Sequence, residues 1–230
     1  MKTIGVLGGM SWESSLEWYR LANEQVRAEH GGYHSAPILL DSLDFAEIEA
    51  LQAEGDWEAA GRILAAHAVR LEQAGAELVV LCTNTMHIVA DEIEAALGVP
   101  FLHIADVVAT AIAGAGGIRT IGLLGTAFTM EQPFYRDRLA QHGLDVLVPD
   151  AEGRRDVHRI IYDELVQGVV LEQSRHRYRE VIADLVGRGA EGIVLGCTEI
   201  ELLVKATDVS VRVFPSTALH VAAALRAAAG

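Results

Sequence analysis

Two segments of the chain end a hydrophobic run on a hydroxyl or thiol side chain, and the two segments resemble each other. One reads GAELVVLCTNTM over residues 75–86, and the other reads GAEGIVLGCTEI over residues 189–200. Aligning them at an offset of 189 − 75 = 114 residues places Thr83 opposite Cys197. A thiolate can accept a proton, and a hydroxyl can donate one or hold a water that does. The pairing therefore predicts acid–base chemistry at one pseudo-symmetric site.

Cys197 is the stronger candidate for a catalytic base. It lies at the end of a strand-like run, where the start of a following helix would stabilise a thiolate. An unperturbed thiol has a pKa of about 8.5, so a modest decrease would make it a usable base near neutral pH. The alternative is a small packed residue, since free cysteines are among the most buried residue types. The position at a strand end favours catalysis.

Short apolar runs that alternate with helical periodicity position these two segments. The runs predicted as strands occupy residues 3–7, 37–40, 78–82 and 100–103 in the first half and 120–124, 144–148, 192–196 and 211–214 in the second. Helices are predicted over residues 14–28 and from about residue 131. Strands that are apolar throughout and alternate with helices are typical of parallel sheets covered on both faces. The sequence thus predicts an α/β protein of two Rossmann-like α/β/α domains.

The domain boundaries are predicted from composition. Gly114–Gly117 resembles a hinge, and the chain beyond about residue 210 is expected to return to the first domain. This predicts an N-terminal domain of residues 1–115 and about 210–230, and a C-terminal domain of residues 116–209.

Ligands of doubly wound sheets bind outside the carboxyl ends of the strands. Polar loops follow four of the predicted strands at that edge, namely Gly8–Ser11, Thr83–Thr85, Gly125–Thr126 and Cys197–Glu199. They are expected to converge on one cleft.

Composition excludes several classes of partner. The formal net charge of −14 is unfavourable for nucleic acid, which requires clustered Lys and Arg. Only two cysteines occur, Cys82 and Cys197, and they lie in different halves, so no disulfide framework is implied and a cytoplasmic location is expected. The first residues enter a strand-like run without the pattern of a signal peptide. No apolar run reaches the length of about 18 residues that a membrane helix needs, so no membrane partner is expected.

Three motifs carry a resemblance to a known family: Gly8–Met10, Cys82–His87 and Gly196–Glu199. They resemble the signatures of the cofactor-independent aspartate/glutamate racemases, and the resemblance covers the whole chain. It implies an isomerase that forms D-amino acids without a cofactor. It also implies two domains related by a pseudo-twofold axis, an active site in the cleft between them, and a homodimer. In that family two cysteines flank the substrate Cα; one removes the proton and the other returns it from the opposite face.

The first motif cysteine of the family is replaced here. Thr83 occupies its place directly before Asn84, while Cys82 lies one residue earlier. A shift of one residue along a strand turns a side chain to the other face, so Cys82 is expected to be a packed residue. The resemblance then makes Cys197 the base for L to D conversion, with reprotonation from the side of Thr83.

The resemblance also suggests groups that bind substrate and stabilise charge. The amides of Asn84, Thr85 and Thr198 are candidate donors to the carbanion-like transition state. Aspartate racemases of the family carry an arginine where this chain has Ile48, and Gln52, one helical turn later, is an uncharged substitute. This loss permits a specificity broader than L-aspartate and L-glutamate. The remaining candidate substrate-binding residues are Met10, Ser11, Thr126 and Glu199.

Some of these residues have simpler interpretations. Gln52 could be a solvated helix residue, and Glu199 could add negative charge to a helix start instead of orienting Cys197 or the substrate ammonium. His87 could tune the site or cap and pack a helix, and His103 could bond a backbone carbonyl. Acidic and histidine residues do not show metal-ligand spacing, so no metal is expected.

Two other functions compete with racemisation. An NAD(P)-binding oxidoreductase would use the glycines after the first strand and Asp41 after the second, but the G-x-G-x-x-G spacing is absent. A two-lobed amino-acid sensor without turnover would account for the missing first cysteine.

Overall fold

The computed structural model describes residues 1–230, and the chain divides into two compact units. Unit 1 comprises Met1–Ile104 and His220–Gly230, and unit 2 comprises Ala105–Leu219. The sequence prediction placed these divisions after residue 115 and at about residue 210, whereas the units divide after Ile104 and after Leu219. No helix is long and apolar enough to cross a membrane.

Unit 1 contains a parallel sheet with the strand order β2-β1-β3-β4. Its strands are β1 (Ile4–Gly8), β2 (Ile38–Ser42), β3 (Leu78–Leu81) and β4 (Phe101–Leu102). The helices that connect the strands are α1 (Trp12–His30), α2 (Phe45–Glu54), α3 (Trp57–Gln73) and α4 (Ala90–Ala96), with a 3₁₀ turn at Thr85–Val89. Helix α5 (Ile104–Ala115) begins at the last residue of this segment and continues in unit 2. Strand β3 ends at Leu81, so Cys82 and Thr83 both lie beyond it.

Unit 2 repeats this order as β6-β5-β7-β8, again with all strands parallel. Its strands are β5 (Thr120–Gly125), β6 (Asp145–Leu147), β7 (Gly192–Gly196) and β8 (Arg212–Pro215). The helices are α6 (Ala127–Glu131), α7 (Pro133–Gln141), α8 (Ala151–Asp163), α9 (Glu172–Gly187) and α10 (Ile200–Leu203), with 3₁₀ turns at Leu165–Gln167 and Ala206–Asp208. Helix α11 (Ser216–Ala229) begins in unit 2, and its residues from His220 onward belong to unit 1. The predicted α/β fold with two parallel sheets is confirmed.

Two helices begin earlier than predicted because polar residues cap them. Ser11 accepts the backbone N–H of Ser14 and starts α1, and Thr126 accepts that of Thr129 and starts α6. The helix expected from about residue 131 is therefore two helices, and Pro133 begins the second of them. Both caps lie directly after the first strand of their sheet.

Apolar packing holds the strand ends in place, on both faces of the unit 1 sheet and in one large cluster of unit 2. In unit 1, Trp18 of α1 packs with Ile4 and Val6 on one face, while Leu64 of α3 packs with Leu7 on the other. In unit 2, Tyr178 of α9 lies in one cluster with Ile193 and Leu195 of β7. Burying one such side chain contributes about 1.5–3 kcal/mol. The residues that follow β3 and β7 are thus attached to fully packed strands.

Candidate active site

The loop after β1 is held by the first turns of its own helix. Gly9 has φ of +89°, and a Cβ there would lie 2.2 Å from the Leu43 carbonyl oxygen, so only glycine fits. The Gly9 N–H donates to Ser15 Oγ at 2.8 Å, and that hydroxyl donates to the Ser11 carbonyl at 3.1 Å. Met10 and Ser11, two predicted substrate-binding residues, are buried within this loop.

Cys82 lies in the core of unit 1, as expected, although it follows β3 instead of ending it. It packs in one cluster with Ile4, Val6 and Trp18. Burial raises the pKa of the Cys82 thiol far above its ordinary value. A thiol in this position stays protonated, so it is unsuited to act as a base.

The candidate functional residues of unit 1 are the loop Gly8–Ser11 and residues 83–87, which we call the first half site. Thr83 is half-buried, and Asn84 and Thr85 are buried. His87 Nδ1 lies 2.7 Å from the Thr83 carbonyl oxygen, and His87 Nε2 accepts the backbone N–H of Ile104 at 3.2 Å. His87 therefore bonds to the turn that carries Thr83 and to the start of α5.

Gln52 is buried, so the interpretation as a solvated helix residue is wrong. Only 5% of it is exposed, and its Nε2 lies 2.8 Å from Met86 Sδ. Ile48, one turn earlier on α2, is fully buried in the core of unit 1. The structure thus brings Gln52 against the first half site and places the apolar Ile48 in the core.

His103 and His220 surround the ring of His87. The ring centroids of His87 and His103 are 4.6 Å apart, and the ring centroids of His87 and His220 are 6.3 Å apart. His220 Nε2 lies 2.9 Å from the Leu102 carbonyl oxygen, and burial lowers the pKa of His220 to about 4. His220 is therefore neutral at physiological pH.

The second half site comprises Gly125–Thr126 after β5 and Cys197–Glu199 after β7. Thr126 caps α6, as described, and the next amide, Ala127 N–H, donates to His158 Nδ1 at 3.1 Å. Burial lowers the pKa of His158, which favours the neutral ring that can accept this bond. The sequence prediction missed His158 because α8 brings it to Thr126 from 32 residues away along the chain (158 − 126 = 32).

Cys197 is 9% exposed and its thiol donates to Glu199 Oε2 at 2.9 Å. The prediction of a lowered pKa is wrong, because burial raises the pKa of the Cys197 thiol well above its ordinary value. The charge of Glu199 and its hydrogen bond raise the pKa further, and these effects outweigh the amides of Glu199 and Ile200, which act to lower it. The four-residue helix α10 does not stabilise a thiolate here.

Glu199 thus does more than add charge to a helix start, because its carboxylate bonds the candidate base directly. Its neighbour Thr198 is also buried and shares a hydrogen bond of 2.9 Å with the hydroxyl of Thr217. The backbone N–H of Thr217 donates to Glu201 Oε1 at 2.9 Å. The end of β7 is thereby bonded to the start of α11.

Glu201 is a residue that sequence reasoning missed although a signal was present. The offset of 114 residues that pairs Thr83 with Cys197 also pairs His87 with Glu201 (201 − 87 = 114). His87 accepts the backbone N–H of Ile104, and Glu201 accepts the backbone N–H of Thr217. Each of these N–H groups lies at the start of the helix that follows the fourth strand of its sheet. The duplication therefore extends to the residue four places after each candidate catalytic residue.

The structure contains no group of three or more His, Cys, Asp or Glu residues arranged to hold a metal ion. Asp41, which a dinucleotide-binding site would use on the cofactor ribose, lies 3.0 Å from His67 Nδ1 and 3.4 Å from the Arg70 guanidinium. These contacts give Asp41 a role within unit 1.

Comparison with known proteins gives consistent matches. Residues 7–224 match the family model described as Asp/Glu/hydantoin racemase. A protein of Yersinia pestis described as a "putative Asp/Glu racemase" is 55% identical, with a TM-score of 0.94 and complete coverage of both chains. An aspartate racemase homologue of Pyrococcus horikoshii OT3 is 36% identical, with a TM-score of 0.89 and complete coverage of both chains.

A curated relative extends the comparison to a different specificity. The broad specificity amino-acid racemase RacX of Bacillus subtilis (strain 168) is 24% identical over 156 residues, which are 66% of this chain. The match spans 64% of the length of RacX.

Proposed function

Because the chain belongs to the Asp/Glu/hydantoin racemase family, we propose that it is a cofactor-independent amino-acid racemase that acts on L-aspartate and L-glutamate and accepts other amino acids. The full-length similarity to the Yersinia pestis and Pyrococcus horikoshii proteins supports the acidic substrates. The similarity to RacX and the apolar Ile48 support the broader range. Proposed assembly and location are a homodimer in the cytoplasm.

The buried thiol–carboxylate pair of Cys197 and Glu199 carries this proposal. The hydrogen bond gives the thiol proton an acceptor, and its transfer to Glu199 forms a thiolate without changing the total charge of the pair. The thiolate then removes the proton from Cα of the L-enantiomer: the Cα–H bond breaks, an S–H bond forms, and the electron pair stays on the substrate. A thiolate with a raised pKa is scarcer but more basic, which favours abstraction of a weakly acidic proton.

Thr83 is the proposed group on the opposite face of Cα. Its hydroxyl, or a water that the hydroxyl holds, returns a proton to Cα and regains one from solvent. Glu199 releases its proton to solvent, which restores the starting thiol–carboxylate pair. A threonine hydroxyl is a poor base because its proton is hard to remove, so abstraction from the D-enantiomer is expected to be slow. Turnover in both directions still obeys the equilibrium constant, so any one-way behaviour is kinetic or reflects saturation.

Fixed donors stabilise the charge that develops on the substrate. The proposed donors are the backbone amides of Asn84, Thr85 and Thr198, all in buried residues. Hydrogen bonds in a water-poor site are stronger than in bulk water. The proposed contacts to the substrate are made by Met10, Ser11, Gln52, Thr126, Thr198 and Glu199.

Incubation with single amino acids in D₂O tests the proposal. L-aspartate, L-glutamate and a panel of neutral L-amino acids are each incubated with the protein, and deuterium at Cα is measured by mass spectrometry. Chiral chromatography measures the D-enantiomer. We expect both signals from L-aspartate or L-glutamate. Binding without any Cα exchange would instead support the amino-acid sensor, and tight binding of NAD(P) would support the oxidoreductase.

A further inference from the structure

The ring of His87 makes two backbone contacts whose chemistry determines its tautomer. The backbone N–H of Ile104 can only donate, so His87 Nε2 must accept. The proton of a neutral imidazole then resides on Nδ1, where it donates to the Thr83 carbonyl at 2.7 Å. One neutral tautomer satisfies both contacts.

This arrangement determines the direction of a peptide group in the first half site. The peptide unit between Thr83 and Asn84 is planar, so its C=O and N–H point in opposite directions. Holding the Thr83 carbonyl against His87 therefore directs the Asn84 N–H away from His87. The same bond restrains the backbone from which the Thr83 side chain projects.

The second half site shows that capping a helix does not require a histidine. Glu201, at the position equivalent to His87, accepts the N–H of Thr217 at the start of α11. A carboxylate only accepts, so Glu201 cannot donate to the carbonyl of Cys197. Capping is common to the two halves, whereas the donated bond to the catalytic segment belongs to His87.

We propose that His87 is a positioning residue of the racemase: by donating to the Thr83 carbonyl it fixes Thr83 and the Asn84 amide, and so controls how often the proton is returned to the Thr83 face of Cα. The inference rests on the proposed function. Abstraction by Cys197 leaves a carbanion that regains a proton on the Cys197 face, restoring the L-enantiomer, or on the Thr83 face, giving the D-enantiomer. Through Thr83, His87 acts on the second outcome. The Asn84 amide stabilises the carbanion from which both outcomes proceed, so an effect on that amide changes both rates, and the ratio of the two outcomes reports on Thr83.

Two conservative variants separate the two bonds of His87. In His87→Asn the side-chain amide replaces Nδ1 and can still donate to the Thr83 carbonyl. In His87→Gln the amide reaches the position of Nε2 and can accept from Ile104, but the donor to Thr83 is lost. With L-aspartate or L-glutamate in D₂O, the readout is the initial ratio of D-enantiomer formed to L-enantiomer that has gained deuterium. This ratio does not depend on how much of a variant is folded.

We expect His87→Gln to lower the ratio about fivefold, as the loss of one hydrogen bond suggests, and His87→Asn to stay within about twofold of the wild type. An unchanged ratio in His87→Gln, or an equal decrease in both variants, would overturn the inference while leaving the proposed function intact. A wild-type protein without Cα exchange would defeat the proposed function and this inference with it.

A measurement on the wild-type protein covers the case in which the variants do not fold. Nitrogen-15 NMR distinguishes a histidine protonated on Nδ1 from one protonated on Nε2. We expect the Nδ1–H form of His87 at pH 7. The Nε2–H form or an imidazolium would overturn the inference.

Discussion

The segments after β3 and β7 share a scaffold but restrain their candidate catalytic residues in different ways. Thr83 is held through its backbone, because His87 bonds its carbonyl oxygen. Cys197 is held through its side chain, because Glu199 bonds its thiol. In the proposed mechanism, the first contact controls the face on which Cα is reprotonated, and the second controls the protonation of the Cys197 thiol. A duplicated fold can therefore present two unlike half sites after changes at only a few positions.

The largest effect is expected from the substitution that removes the proposed base. Cys197→Ser should lower L to D conversion and Cα exchange about 10³-fold, since a positioned general base contributes about 10²–10⁴-fold to a rate. Initial rates of D-enantiomer formation measure it. Cys82→Ala is the matched control and should retain activity in its folded fraction, because Cys82 lies in the core. Activity retained in Cys197→Ser would defeat the assignment.

The second largest effect is expected at Glu199, and it tests whether Glu199 controls the protonation of the Cys197 thiol. Glu199→Gln should lower the exchange rate about 10²-fold, because the acceptor of the thiol proton is lost. It should also lower the pKa of Cys197, because the Glu199 charge raises that pKa in the wild type. Thiolate would then form at lower pH than in the wild type.

The rate of alkylation by iodoacetamide, measured against pH in the Cys82→Ala background, reports the thiolate of Cys197. The Glu199→Gln profile should lie to lower pH than the profile with Glu199 present. A shift to higher pH would contradict the role given to the Glu199 charge.

A moderate effect is expected from a substitution that makes the two half sites more alike. Thr83→Cys places a better base on the Thr83 side and should raise the D to L rate about tenfold. The measurement is the initial rate of L-enantiomer formed from the D-enantiomer, with Thr83→Ser as the control that keeps a hydroxyl. An unchanged rate with cysteine would show that the identity of residue 83 does not limit the reverse direction.

The smallest effect is expected where a side chain accepts a backbone N–H at a helix start, a contact that occurs in both halves of the chain. Glu201→Ala removes the acceptor for the Thr217 N–H at the start of α11 and should cost about 1 kcal/mol of unfolding free energy. Chemical denaturation measures it. Glu201→Gln keeps an acceptor and should recover most of that loss. Equal losses in the two variants would point to the charge instead of the hydrogen bond.

The sequence predicted the features that follow from local pattern. Strand periodicity located the two sheets, and the 114-residue offset located Thr83 and Cys197 at equivalent strand ends. The cap of α6 by Thr126 was also readable, since threonine is a preferred N-cap, but it was not used. These features depend on a few neighbouring residues.

Features that depend on residues distant in the chain could not be read in this way. The pKa of Cys197 follows from how deeply unit 2 buries it, which no local motif specifies. Gln52 lies against Met86 because α2 packs on the segment after β3. His158 reaches Ala127 from α8. In each case tertiary packing determined the surroundings of the side chain.

The burial of Ile48 has a consequence for stability. An arginine at this position would place a guanidinium among apolar core residues. An unpaired buried charge costs several kcal/mol, a large fraction of the total stability of about 5–15 kcal/mol that proteins have. An arginine introduced at position 48 would therefore need compensating substitutions around α2 to be tolerated. The residue on which the proposed broad substrate range depends is thereby also a residue on which the stability of unit 1 depends.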